Sequence, residues 1–209
     1  EEDEILALNI FNNFKADEKL LKLLEETSEF VLIGSGSSFY ASEYIALMIE
    51  QELGIRARAF LPTEYSYNDI YNKSTFIFIS QSGETADVLA AIDKIKPKKA
   101  MLITNSFTSQ MTLHIPLILD MHAGKEIAVA STKAYTSQVV LINILSIYFA
   151  EILGTCDKEF LLNLKNDILD LPKKIEETLK FDDLIKDFAK KIYQEKDIFF
   201  LGRGIDETV

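Results

Sequence analysis

The sequence predicts an α/β fold: a doubly wound, five-stranded parallel sheet with helices on both faces. Two observations carry this expectation. Five short, continuous runs rich in Val, Ile, Leu and Phe are spaced along the middle of the chain, and each is followed by a longer stretch of helical periodicity. Strands that alternate with helices lie parallel, because parallel neighbours need a crossover, and right-handed crossovers put helices on both faces.

FVLIG at 30–34 is the first strand, and 38–53 is the helix that returns from it. RARAFL at 56–61, TFIFIS at 75–80, KAMLITN at 99–105 and HIPLILD at 114–120 supply the other four strands. Helices are expected at 63–69, 85–95 and 106–112, with a long one at about 131–153, which makes the outline flavodoxin-like. Helical patterns without strands flank this unit, at 3–14 and 16–26 before it and at 158–178 and 182–194 after it. Pro172 should end or kink the third of these, since proline lacks the N–H that the helix interior needs.

DIFFLGRGID at 197–206 again reads as a strand followed by G-x-G. Gly34 and Gly202, like Gly36 and Gly204, are 168 positions apart. The expectation is a duplicated domain whose second copy stops at Val209; two unrelated tight turns are the alternative. The chain then divides into a helical segment at 1–28, a domain at 29–153, a helical connection at 154–196 and the start of a second copy at 197–209. Its opening, EEDEI without a Met, is expected of a piece of a longer protein.

Composition excludes several classes of function. With 22 basic and 33 acidic side chains the net charge is −11, a surface that repels nucleic-acid phosphates. The chain has 209 residues, 48% of them hydrophobic, enough to bury one good core or one domain and part of another. Cys156 is the only cysteine, which excludes an internal disulfide or a thiolate metal cluster and fits a reducing, cytoplasmic setting. The longest apolar stretch, VVLINILSIYFA at 139–150, contains Asn143 and Ser146 and is too short to span a bilayer, so no membrane partner is expected.

Ligands of open parallel sheets bind beyond the carboxyl ends of the strands, where strand order reverses. Three hydroxyl-rich segments fall at that edge. The first strand runs into Gly34-Ser35-Gly36-Ser37-Ser38, the third into Ser80-Gln81-Ser82-Gly83-Glu84-Thr85, and a loop after the fifth carries Gly124 to Lys133. Each precedes a helix, so each offers free backbone N–H groups and a positive dipole end to an anion. Gly36 and Gly83 let the backbone approach closely, and Ser38, Ser80, Ser82, Thr85 and Ser131 can donate hydrogen bonds. Ser or Thr ahead of one helix reads first as an N-cap. Three such segments at one edge read as a cradle for a compact phosphate monoester with hydroxyls, a sugar phosphate rather than a polyanion.

Other site chemistries fail on spacing. GSGSSF has Phe39 where a dinucleotide fingerprint needs its third Gly, and no G-x-x-x-x-G-K-[ST] run exists. GSGSS is not the G-x-S-x-G of a serine hydrolase, and the only histidines are His114, in an apolar strand, and His122, in a loop near the edge. Glu84 and Glu126 are the acidic groups nearest the cradle; Glu84 can favour the helix dipole, and Glu126 can orient its loop or act on a substrate proton. Lys125 and Lys133 can reach an anion or solvate the surface. No metal and no cofactor is expected.

SQSGETAD together with GKEIAVASTKAYTSQ closely resembles the sugar isomerase (SIS) domain family, nearest to the isomerase module of the glutamine–fructose-6-phosphate aminotransferases, the glucosamine-6-phosphate synthases. The likeness runs from about 29 to 151 and resumes at 197–206. It implies that Ser80, Gln81, Ser82 and Thr85 hold the phosphate and nearby hydroxyls of a hexose 6-phosphate or amino-hexose 6-phosphate, with Val129 and Ser131 on the sugar. Ser35, Ser37 and Ser38 occupy the first-turn positions, where the synthases commonly have Cys in place of Ser35 and Thr in place of Ser37. The family's proton-transfer and imine-forming groups belong to a second domain, and within these residues Glu126 is the candidate catalytic group.

The function expected from this resemblance is the sugar-phosphate-binding half of an aminosugar-phosphate isomerase, in a homodimer. The segment 1–28 departs from the synthases in lacking their E-I-x-E-Q-P stretch. Two alternatives therefore stand beside the synthase: a stand-alone aminosugar-phosphate deaminase or isomerase, and a non-catalytic sensor domain that binds a sugar phosphate.

Overall fold

The computed structural model describes residues 10, 14, 17–65, 74–124, 131, 133–199 and 201–203. Helix α1 (Glu18–Glu25) precedes β1 (Glu29–Gly34), α2 (Ser37–Leu53), β2 (Arg56–Phe60), β3 (Ser74–Ile79), α3 (Ala86–Ile95) and β4 (Ala100–Thr104). A 3-10 turn (Gln110–Leu113), β5 (Ile118–Asp120), α4 (Lys133–Leu153), α5 (Lys158–Leu179) and α6 (Asp182–Ile192) complete the order. The five strands form one all-parallel sheet in the order β2-β1-β3-β4-β5. Strand order therefore reverses between β1 and β3, the doubly wound switch point.

β1 and β3 are buried at every position, as a strand covered on both faces must be. Period-two alternation sorts their side chains into two cores. Phe30, Leu32, Ile77, Ile79, Met101 and Ile103 pack under α1, α2, α4 and α5, while Val31, Ile33, Phe76, Phe78 and Leu102 pack under α3 and the 3-10 turn. α4 is apolar nearly all round because it is the central helix: residues from Ala134 to Ala150 are buried on several sides of it. Register at the amino ends of the strands is pinned by buried Glu29, which accepts a hydrogen bond from Ser74 and pairs with Arg56 and Arg58 at 3.4 and 3.8 Å.

Several elements differ from the sequence expectation. β5 begins at Ile118, not 114, because Pro116 has no N–H to give and restrains Ile115 before it. The helix expected at 106–112 is only the short 3-10 turn. Its leading residues turn on Thr104 Oγ1, which accepts from the Ser106 N–H, and on the Ser109 hydroxyl, which donates to the Ser106 carbonyl. α5 does not end at Pro172 but continues to Leu179; Leu164, Ile168 and Leu171 pack on the core and hold the helix past the missing bond. Residues 197–199 and 201–203 form no strand, and Phe199 and Leu201 are exposed. The helix expected at 63–69 and most of that expected at 3–14 lie outside the described residues.

Candidate functional site

At the carboxyl edge, Gly34 of β1 stands directly opposite Ile79 of β3. The segments that follow, Ser35–Ser38 and Ser80–Thr85, thus leave the sheet side by side at the switch point. α2 covers one face and α3 the other, so their amino ends flank the same crevice. Neither end is capped by a side chain: Gly36 has none, and Thr85 makes no cap bond. By contrast Asp17 and Asp157 cap α1 and α5 in the ordinary way. Thr85, the residue ahead of α3, thus does not serve as its cap.

The loop after β3 is built around Ser80 and Gly83. Ser80, buried, accepts the Gly83 N–H at 3.1 Å and shares a 2.9 Å bond with Thr85 Oγ1. Two hydroxyls sharing one bond leave one O–H proton to be given elsewhere. Ser82 is exposed, and its oxygen accepts the Glu84 N–H at 3.2 Å, which leaves its own proton available. Gly83 sits at φ +67°, and a Cβ there would collide with Ser109 Oγ, so no other residue fits the turn. The Gln81 carbonyl is held by the Asn105 N–H at 3.1 Å and by Thr104 Oγ1 at 3.3 Å, and the Gly83 carbonyl by the Met111 N–H at 3.1 Å.

On the first segment, Gly36 has φ +58° and Ser35 is half-buried, while Ser37 is exposed. Ser38 is buried and its Oγ accepts from Gln138 Nε2 of α4 at 3.0 Å. On the third, Ser131 is exposed ahead of α4, whereas Lys125, Glu126 and Val129 lie outside the described residues. Asn105 fastens the start of this loop, donating to the Gly124 carbonyl and accepting the Ala123 N–H at 3.2 Å.

The titratable candidates have other partners. Glu84 accepts the Gln110 N–H at 2.7 Å, so it anchors the 3-10 turn as well as facing the amino end of α3. His122 lies 3.2 Å from Asp120, and His114 lies 3.7 Å from Asp93 in a turn rather than in a strand. Among the described residues no three His, Cys, Asp or Glu side chains gather as a metal site would require. An apolar groove of about 370 Å³ between α2, α4 and α5 is lined by Met48, Val139, Ile147 and Leu171, and none of the hydroxyl segments contributes to it.

Thr104, Asn105, Ser109 and Gln138 were not singled out from the sequence. Their one local signal is polarity in an apolar context: Thr104-Asn105 ends a buried strand, and Gln138 interrupts the apolar face of α4.

A family model described as the SIS domain matches residues 23–148. The isomerizing glutamine–fructose-6-phosphate aminotransferase of Clostridium tetani is 42% identical over 190 residues, covering 89% of this chain and 31% of that protein. The chain thus spans about a third of that relative's length. The C-terminal domain of glucosamine-fructose-6-phosphate aminotransferase from Francisella tularensis superposes with a TM-score of 0.93 at 26% identity, covering 99% of this chain and 62% of that one. A protein of Escherichia coli CFT073 shares the fold at a TM-score of 0.63 and 21% identity, over 77% of this chain and 91% of the other.

Proposed function

This chain belongs to the SIS domain family, and on that premise we propose that it is the sugar-phosphate-binding half of an aminosugar-phosphate isomerase of the glutamine–fructose-6-phosphate aminotransferase kind. The observation that carries the reading is the pair of uncapped helix amino ends, α2 and α3, set beside each other at the switch point with hydroxyls around them. Backbone N–H groups and neutral hydroxyls suit a single dianionic phosphate in a protein of net charge −11. Ser80, Gln81, Ser82, Gly83 and Thr85 take the phosphate; Ser35, Gly36, Ser37, Ser38, Val129 and Ser131 surround the sugar, a fructose 6-phosphate or glucosamine 6-phosphate. No metal or cofactor takes part.

Moving a proton between adjacent carbons needs a base, and imine chemistry needs an amine. Glu126 is the acid–base candidate here, and the remaining groups come from a second domain or a partner copy. The chain by itself is a cytoplasmic binder with little or no turnover.

Isothermal titration with fructose 6-phosphate and glucosamine 6-phosphate tests this. The wild type binds, and Ser82→Ala weakens binding about tenfold, the scale of one hydrogen bond to a charged group. Robust isomerisation by the purified chain, abolished by Glu126→Gln, would overturn it.

A further inference from the structure

Gln138 is a polar side chain on a helix that is otherwise core. It is 1% exposed, its Nε2 lies 3.0 Å from Ser38 Oγ and 3.9 Å from Met121 Sδ, and its Oε1 is buried without a hydrogen-bond partner among the described residues. The thioether sulfur only accepts, so the amide atom that faces it is the NH2 group. Ser38 Oγ is therefore an acceptor toward Gln138. A serine hydroxyl has one proton and two lone pairs, and with one lone pair occupied by an N–H its own proton is turned away from Gln138. A hydrogen bond received also polarises the one given. Orphaned buried acceptors are uncommon and costly, so the amide of Gln138 calls for an explanation.

We propose that Gln138 is a positioning residue for the ligand site: it holds the Ser38 hydroxyl as an acceptor so that Ser38 donates its proton to the sugar-phosphate ligand. This rests on the sugar-phosphate reading above. Ser38 alone, free to rotate, could accept from the ligand or donate into the core. With Gln138 behind it, the Ser38 proton is turned away from α4, toward the ligand side. The pair also ties α2 to α4, so two of the three segments at the sheet edge are set by one side-chain bond.

A double-mutant cycle in the 209-residue chain tests this, with glucosamine 6-phosphate as the titrant. Ser38→Ala and Gln138→Met each weaken binding by about tenfold, and Ser38→Ala/Gln138→Met is no weaker than Ser38→Ala, because Gln138 acts through Ser38. Gln138→Met also melts at or above the wild-type temperature, since the methionine removes the orphaned acceptor. Losses that multiply in the double variant, or wild-type affinity in Gln138→Met, would overturn the proposal. So would a large fall in melting temperature that tracks the loss of affinity. If Gln138→Met does not fold, Gln138→Glu, of the same size and without the donor, takes its place in the cycle. Absence of binding by the wild type instead overturns the sugar-phosphate reading, a failure distinct from binding that ignores Gln138.

Discussion

At the residue scale Gly83 fixes the shape of the loop after β3. Its left-handed φ and the close approach of Ser109 Oγ act together, so Gly83→Ala carries both strain and a clash. A cost of about 1–3 kcal/mol is expected for the backbone alone, with more from the clash. Urea denaturation would show the loss of stability, and Ser109→Gly in the same chain would recover the part due to contact and leave the part due to φ. Tyr135, near the start of α4, gives a pH prediction. Burial, and then its neighbour Tyr44, raises the phenol above its ordinary value. The folded chain therefore resists ionising it, and its contribution to stability is intact below about pH 10 and falls as pH rises through the higher folded value. Tyr135→Phe should flatten that fall, measured as melting temperature against pH from about 8 to about 11 beside the wild type.

At the scale of elements, the contrast between helix ends separates structural from functional polarity. Asp157 caps α5 through the Phe160 N–H at 2.8 Å, so Asp157→Ala should cost about 1 kcal/mol of stability. Thr85 caps nothing, so Thr85→Ala should lose ligand affinity with a smaller change in stability; the two variants compared by denaturation and by titration check both halves. α5 itself carries Pro172 in its interior. Pro172→Ala restores an N–H toward the Ile168 carbonyl and should stabilise the helix by about 1–3 kcal/mol, read as added amide-exchange protection over α5.

For the whole molecule, α4 buries most of its apolar surface inside the chain, and Val139 and Ile147 line the groove against α2 and α5. Among the described residues, exposed apolar groups are densest on α6 and around it, with others scattered from Tyr40 to Leu179. Leu184, Ile185 and Phe188 share one stripe, with Phe181, Tyr193, Phe199 and Leu201 beyond it, and no core residue belongs to α6. A stripe of this kind on a helix with a charged opposite face is an unmet burial, and self-association through it is the expected behaviour of the isolated chain. Sedimentation should show concentration-dependent dimerisation that Leu184→Lys with Phe188→Lys abolishes, while the melting temperature of the sheet domain stays close to that of the wild type.

The sequence by itself determined the five parallel strands, the helices that follow β1, β3 and β5, and the two loops at the switch point. Continuous β-branched and aromatic runs, and hydroxyls bunched ahead of helical periodicity, are local patterns that survive without knowledge of neighbours. Boundaries at 106–120 and the passage of α5 through Pro172 were not legible there, because both follow from groups distant in the chain or from packing that outweighs a local preference. Only the tertiary structure decided that α2 and α3 start without a side-chain cap while Asp17 and Asp157 cap α1 and α5. It also joined Gln138 to Ser38 across 100 positions and closed Gly83 against Ser109 across the β3–β4 edge. A side chain's partner depends on strand order and on which faces meet, and those are properties of the packed chain rather than of any segment within it.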